Sequence, residues 1–447
     1  MKVLVVGKGV SGTGAGELLK KNGFKVKFAC ERVINAKSLT KLMLDRLLDD
    51  LSFIVVSPGV SPSAPLLKEA KKRKIKITSE LELASRFAHG DVIAVTGTNG
   101  KTTTVSLINF LLQSQPRKVF LGGNIGIAYS SFAGKTAEND ITVLECSSFQ
   151  LRGVEKFRPH IACILNITPD HLNYHKTLRN YISCKKKIAK KQTENDFLLL
   201  NADDNGVMSN IPKTKATIYY FSTKKKVFGC YVKSNCIYFN DNLKEKKLVS
   251  LKGVKLVGEH NKSNIVCACL AVYLQTKTTD SLNSLAQFQG VSHRIEFVKK
   301  AGGVNFYDDS KATNIDSTLA STKSFDAPIN LILGGSDKGY KFDKLFQNLP
   351  KNVKFIAVCG ETKNAILTSA KKFGFEPVTK AFADLKQSIY ACKEHAKVGE
   401  IVLLSPACAS FDAFSSYKER GEFFKKIVEE ICSSENSSRS HEKSKPQ

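Results

Sequence analysis

Apolar residues along this chain fall into short unbroken runs separated by stretches of helical spacing. The runs "VIAVT" (92–96), "DITVLEC" (140–146) and "HIACILNIT" (160–168) are rich in β-branched residues. They predict strands buried on both faces, as in a parallel sheet. After the first of them, Val105, Leu107, Ile108, Leu111 and Leu112 repeat at helical spacing. The stretch 2–30, "KVLVVGKGVSGTGAGELLKKNGFKVKFAC", predicts strand, glycine turn, helix and strand, and "FIVVSPGV" (53–60) a further strand. Residues 215–257 predict short β segments with polar turns. Further on, "GVNFYDDS", "INLILGGS", "VKFIAVCG" and "EIVLLSPA" predict four strands alternating with helices.

Strands alternating with helices predict an α/β protein, and the pattern breaks naturally into three domains. Residues 1–90 form a Rossmann-like nucleotide-binding unit, 91–290 a central P-loop ATPase-like parallel sheet, and 291–432 a C-terminal Rossmann-like α/β domain. Residues 433–447, "SSENSSRSHEKSKPQ", form a polar tail expected to be disordered. The 447-residue length agrees with about three domains.

Composition narrows the class further. The apolar stretch at the N-terminus is too short for a signal peptide or a membrane span. The twelve cysteines have no paired zinc-ligand spacing and are expected to be reduced thiols in a cytoplasmic protein. The net charge of +27 raises nucleic-acid binding. However, the lysines are spread over many short runs with no aromatic-interleaved motif. The partners expected are therefore small molecules, with no nucleic acid and no membrane span, and the chain is expected to be a monomer. A cationic surface still favours encounters with polyanionic substrates.

The candidate chemistry lies at strand ends. "GTNGKTTT" (97–104) is a half-match to a P-loop, since Val95 stands where the first glycine belongs. Its context, a strand before it and a helix after it, makes an anion site. Gly97, Thr98, Asn99, Gly100, Lys101, Thr102 and Thr103 would cradle phosphates, with Lys101 on the outer oxygens and Thr102 on Mg²⁺. Glu145 ends a buried strand, which suits a magnesium ligand. His171, after another strand, points to the same crevice as a metal ligand. Asn261 and Asn264 share a helix face and can read a purine edge or pin a loop. Arg294, Asp309 and Lys311 occupy loop positions from which charge can be pressed onto a phosphoryl group. Lys185 alone belongs to a lysine run that resembles a solvated surface.

Taken together, "GTNGKTTT", "ECSSFQ", "NITPDHL", "GEHNKSN", "SHRIEF", "DDSKATN", "LGGSDKG" and "SPACASFD" resemble, in order and spacing, the Mur ligases. These are ATP-dependent amide-bond ligases of peptidoglycan synthesis. The likeness runs from about residue 3 to 424, and "DSKATN" and "SPACASFD" point to the D-glutamate-adding branch. The resemblance implies addition of D-glutamate to UDP-N-acetylmuramoyl-L-alanine through an acyl phosphate. It implies ATP, two Mg²⁺ sites and a CO₂-derived carbamate on Lys185, with Tyr181 fixing the register. Val10, Ser11, Arg32, Ser57, Gly59 and Asn124 would hold the UDP-substrate. Thr102, Glu145, His171 and Lys185 would serve the metals. Asn261, Asn264, Arg294, Asp309 and Lys311 would meet ATP, and His293 would lie near the reacting carboxyl group. Thr313, Lys338, Ser410 and Phe411 would bind D-glutamate. Two other readings compete. One is another Mur-type ligase or a folylpolyglutamate synthase; the presence of residues 1–90 counts against the synthase. The other is a non-catalytic nucleotide-dependent or nucleic-acid-associated protein, against which Lys101, Glu145 and His171 together count.

Overall fold

The apolar runs become strands, and the segments of helical period pack over them. A computed structural model describes residues 1–29, 31–34, 39–337, 339 and 341–442. Among these residues there are two compact units, 1–254 with 262–288, and 255–261 with 289–442. The helix Glu259–Thr276 belongs partly to each. The α/β class expected from the pattern is the class observed.

The first unit contains two sheets. Lys2–Val6 pairs in parallel with Lys25–Ala29 on one side and Leu51–Val56 on the other, and Ile77–Ser79 closes the set. Because the chain leaves Lys2–Val6 with a neighbour on each side, a crevice opens at the carboxyl ends of these strands. The second sheet has nine described strands. Asp91–Thr96 lies at its centre of chemistry, parallel to both Ile141–Glu145 and Ile161–Ile164. The "HIACILNIT" strand is shorter than expected: Leu165 N still bonds to Thr96 O of the neighbouring strand, and Asn166 then bonds to Thr98 and Asn99 of the P-loop. The expected β segments between 215 and 257 are present as Thr217–Ser222, Gly229–Lys233, Cys236–Asn240 and Glu245–Ser250.

The second unit has one sheet of six described strands. Val304–Asp308, Ile401–Leu404, Ile329–Gly334, Val353–Cys359 and Thr379–Ala381 run parallel. A sixth strand, Glu296–Ala301, joins antiparallel at the edge. Its charged, half-exposed "EFVKKA" pattern carries no buried-strand signal, so the sequence did not announce it. The final helix, Tyr417–Glu442, corrects the expected disorder from residue 433. No glycine or proline interrupts "SSENSSRSHE", so a helix already seated by Phe424, Ile427, Val428 and Ile431 runs on into it. The described cysteines are all free thiols, as expected. Among the described residues, no helix is long and apolar enough to cross a membrane.

Candidate active site

The strand Asp91–Thr96 ends in the loop Gly97–Gly100, and the helix Lys101–Leu112 starts directly after it. Gly100 caps that helix at φ +83°, in left-handed space. A Cβ there would sit 2.3 Å from Asn264 Oδ1, so the position excludes any side chain. Asn166 holds the loop: its Oδ1 accepts from Asn99 N at 2.8 Å, and its Nδ2 donates to Asn99 O at 3.0 Å. Thr98 N donates to Asn166 O, and the Thr98 hydroxyl meets Thr168 O and Tyr181 OH at 3.1 and 3.0 Å. These bonds fix the loop before any ligand arrives, which is how an anion cradle avoids reorganisation on binding.

Two lysines converge on this loop. Lys101 Nζ donates to Gly97 O at 2.9 Å and Thr98 O at 2.7 Å. Lys185 Nζ, fully buried, donates to the same Gly97 O at 2.6 Å and lies 4.6 Å from the centroid of the Tyr181 ring. Burial first, and the Lys101 cation second, hold the Lys185 ammonium well below the usual lysine range. Thr102 donates to Glu145 Oε2 at 2.7 Å, and Asn124 Nδ2 donates to Glu145 Oε1 at 2.8 Å. A hydroxyl and a carboxylate at the end of a buried strand are the hard oxygen ligands that Mg²⁺ takes. Thr103 points into the core with its hydroxyl unbonded, so only its backbone can serve a phosphate.

Of the "ECSSFQ" residues, Ser147 and Gln150 form a reciprocal capping box at the start of the helix Ser148–Arg152. Ser148 Oγ lies 2.9 Å from His175 Nε2. His171 sits at φ +53°, partly exposed, its ring against Phe149 and its Nε2 3.4 Å from Asp170 Oδ2. His175 is buried, and desolvation, with His171 the next largest cause, lowers it to about 4.

At the first sheet, Val10 and Ser11 open the helix Val10–Lys21, with Val10 exposed. Ser57 donates to Gly7 O at 3.3 Å, bringing the "SPG" turn and the glycine turn to one sheet edge, with Gly59 exposed beside it. Arg32 lies in the short helix Glu31–Ile34, and its side chain lies outside what is described.

In the second unit, His293 is buried at φ +64°. Its Nδ1 lies 2.7 Å from Asp308 Oδ2, and its backbone N–H donates to Glu296 Oε2 at 2.7 Å. A Cβ on Gly421 would fall 2.2 Å from that Nδ1 and 2.6 Å from Asp308 Oδ2, so the helix can pass here only as glycine. Lys425 Nζ, 2.9 Å from Glu296, supplies the cation beside this acidic pair. Asp309 is fully buried, accepting from the hydroxyls of Ser321 and Ser405 and, at 3.3 Å, from Ile295 N. Desolvation raises it to about 6, against the pull of Arg294. Arg294 has a buried Nε with no hydrogen-bond partner among the described residues. Lys311 N donates to His293 O, and its Nζ lies 5.2 Å from the centre of the Tyr417 ring. Thr313 follows in the same turn. Ser410 is buried and Phe411 is exposed. Lys338 lies outside the described residues. Asn261 donates to Val257 O at 2.8 Å within the second unit, whereas Asn264 faces Gly100 in the first.

Two family models cover most of this geometry. The Mur ligase middle domain matches residues 95–272, and the Mur ligase glutamate ligase domain matches 293–408. A UDP-N-acetylmuramoylalanine--D-glutamate ligase of Thermoanaerobacter sp. (strain X514) is 39% identical, covering 96% of this chain and 98% of its own. The chain belongs to the Mur ligase family. A ligase of the same name from Koribacter versatilis is 38% identical over 97% and 98% of the two chains. Two solved structures share the Mur ligase fold. A pseudomurein peptide ligase type C of Methanothermus fervidus has TM-score 0.60 at 17% identity, and the UDP-N-acetylmuramate-alanine ligase of Thermotoga maritima has TM-score 0.58 at 19%. Each covers 96% of this chain and 99% of its own.

Two residues that hold loops in place, one in each unit, were not marked by the sequence. Asn166 was quoted within "NITPDHL", but nothing marked it as the clamp on Asn99. Arg420 is buried under the second unit's loops, donating to the carbonyls of Cys408, Ala409 and Ser310. It sits on a long helix, where an arginine reads as surface charge.

Proposed function

We propose that this Mur ligase joins D-glutamate to UDP-N-acetylmuramoyl-L-alanine at the expense of ATP, making a peptidoglycan precursor as a cytoplasmic monomer. The relatives' shared name supports the choice of substrates. The arrangement that carries the chemistry is the convergence of Lys101 and Lys185 on Gly97 O beside the Thr102–Glu145 pair. The proposed division of labour is 1–90 for the UDP-substrate, 91–290 for ATP and 291–432 for the amino acid.

A carboxylate cannot expel oxide. Its oxygen therefore attacks the γ-phosphorus of ATP, releasing ADP and leaving an acyl phosphate. The neutral amine of D-glutamate then attacks the carbonyl carbon, phosphate departs with the C–O bonding electrons, and the nitrogen gives up a proton to a base. Negative charge gathers in both steps, and the Lys101 ammonium, with Arg294 and Lys311, is proposed to meet it. Mg²⁺, when bound, supplies further charge neutralisation on phosphate oxygens. Thr102 and Glu145 would hold one ion, and His171 with a carbamate on Lys185 would hold a second. The depressed basicity of Lys185 supports that carbamate, because only a neutral amine can add to CO₂ and then release its proton. Val10, Ser11, Arg32, Ser57, Gly59 and Asn124 are proposed for the UDP-substrate, and Thr313, Lys338, Ser410 and Phe411 for D-glutamate. His293, held by Asp308, is proposed to lie near the reacting carboxyl group.

The test is an amine panel: phosphate release measured with ATP, Mg²⁺ and UDP-N-acetylmuramoyl-L-alanine while the amino acid is varied. Release should require D-glutamate. Equal release with L-alanine, diaminopimelate or L-glutamate would overturn the assignment.

A further inference from the structure

One groove in the first unit lies outside the site described above. It has a volume of about 670 Å³ and lies between the helix Leu178–Lys186 and the loop at Asn210–Lys213. Arg179, Lys186, Lys187, Lys190 and Lys213 line it, and no acidic residue does. Lys187 reaches the carbonyl of Arg152, but the other four form no ion pair among the described residues. On the same unit, Lys215 lies 3.3 Å from Glu194 and Lys226 lies 2.8 Å from Glu245, so these two lysines are paired where those of the groove are not. Cations confined together repel one another, and a multivalent anion relieves that repulsion.

We propose that this groove binds a multiply phosphorylated small molecule, at a site separate from the P-loop. The lining favours a small ligand over nucleic acid. It has no aromatic ring on which a base could stack. Its floor of Ile182 and Pro212 suits the uncharged part of a compact ligand, and its volume lies in the range of small-molecule sites. The helix carries the two sites on different faces. Arg179, Ile182, Ser183 and Lys186 fall at helical spacing toward the groove, while Tyr181 and Lys185 face the P-loop. An anion in the groove thus grips the element that positions Lys185.

The test is titration calorimetry of the Lys101→Ala protein, which removes the P-loop cation, with sodium tripolyphosphate and separately with ADP. Saturable binding that weakens as salt rises is expected. Adding Lys190→Glu and Lys213→Glu should weaken it by about tenfold or more. The milder pair Lys190→Gln and Lys213→Gln should weaken it less. Tighter binding of ADP would identify a nucleotide, tighter binding of tripolyphosphate an inorganic polyphosphate, and either supports the site. In an otherwise native chain, the Glu pair should keep its D-glutamate-dependent phosphate release, which separates this result from the ligase assignment. The proposal fails if Lys101→Ala protein shows no saturable binding, if the groove variants bind as tightly as their parent, or if a single-stranded RNA oligomer outcompetes tripolyphosphate there.

Discussion

At the P-loop, two lysine nitrogens, those of Lys101 and Lys185, donate to one carbonyl, Gly97 O. In the second unit, His293 pairs with Asp308, Glu296 with Lys425, and Asp309 with two hydroxyls. The first arrangement concentrates positive charge on neutral dipoles, and the second matches charge to charge or to hydrogen bonds. A site built the first way awaits an anion, whereas a site built the second way holds its shape without one. The difference teaches where ligand binding and where mere folding should be sensitive to each residue.

The comparison is broken most severely at Lys101. Lys101→Ala should lower phosphate release on the order of 10³-fold, while leaving the thermal midpoint near its parent value. Retained D-glutamate-dependent turnover would show that the lysine pair is structural. Lys185→Ala comes next. A loss of about 10²-fold is expected, partly restored by short carboxylates added to the assay, because they replace the charge of the carbamate. Full activity without additives would return Lys185 to the role of a buried packing group.

The second unit is sharpened through pH. Asp309 titrates at about 6 when folded, against 3.8 for an ordinary aspartate. The unfolded chain therefore loses this proton first as pH rises. The group's contribution to stability is full below pH 4 and falls away through pH 6, by about 3 kcal/mol in all. Urea unfolding at pH 4.5 and 6.5 should show this decline in the parent and not in Asp309→Asn. A parallel pH dependence in both would refute it. Smallest is Asp308→Asn, which keeps the shape but removes the charge on His293 Nδ1. A fall in kcat of about tenfold with little change in KM for ATP is expected. An unchanged kcat would make the His293–Asp308 pair a packing device.

Much of the candidate site was legible because it sits at strand ends. A run such as "DITVLEC" places Glu145 at the edge of a buried sheet, and a glycine loop before an apolar-periodic helix places Lys101 at an anion site. What was not legible depended on contacts between distant segments. Asn166 clamps a loop 67 residues away. Arg420 gathers carbonyls from two loops, one of them 110 residues distant. The edge strand Glu296–Ala301 escaped notice because its alternation is weak and its side chains are charged.

By itself the sequence determined the α/β class, several of the buried strands and the residue types at their ends, because local periodicity and glycine placement are short-range properties. Only the tertiary structure decided that Lys185 is a buried, weakly basic amine and not one more lysine in a charged run. Basicity depends on solvent exclusion and on the neighbouring Lys101 cation, and both come from segments far apart along the chain.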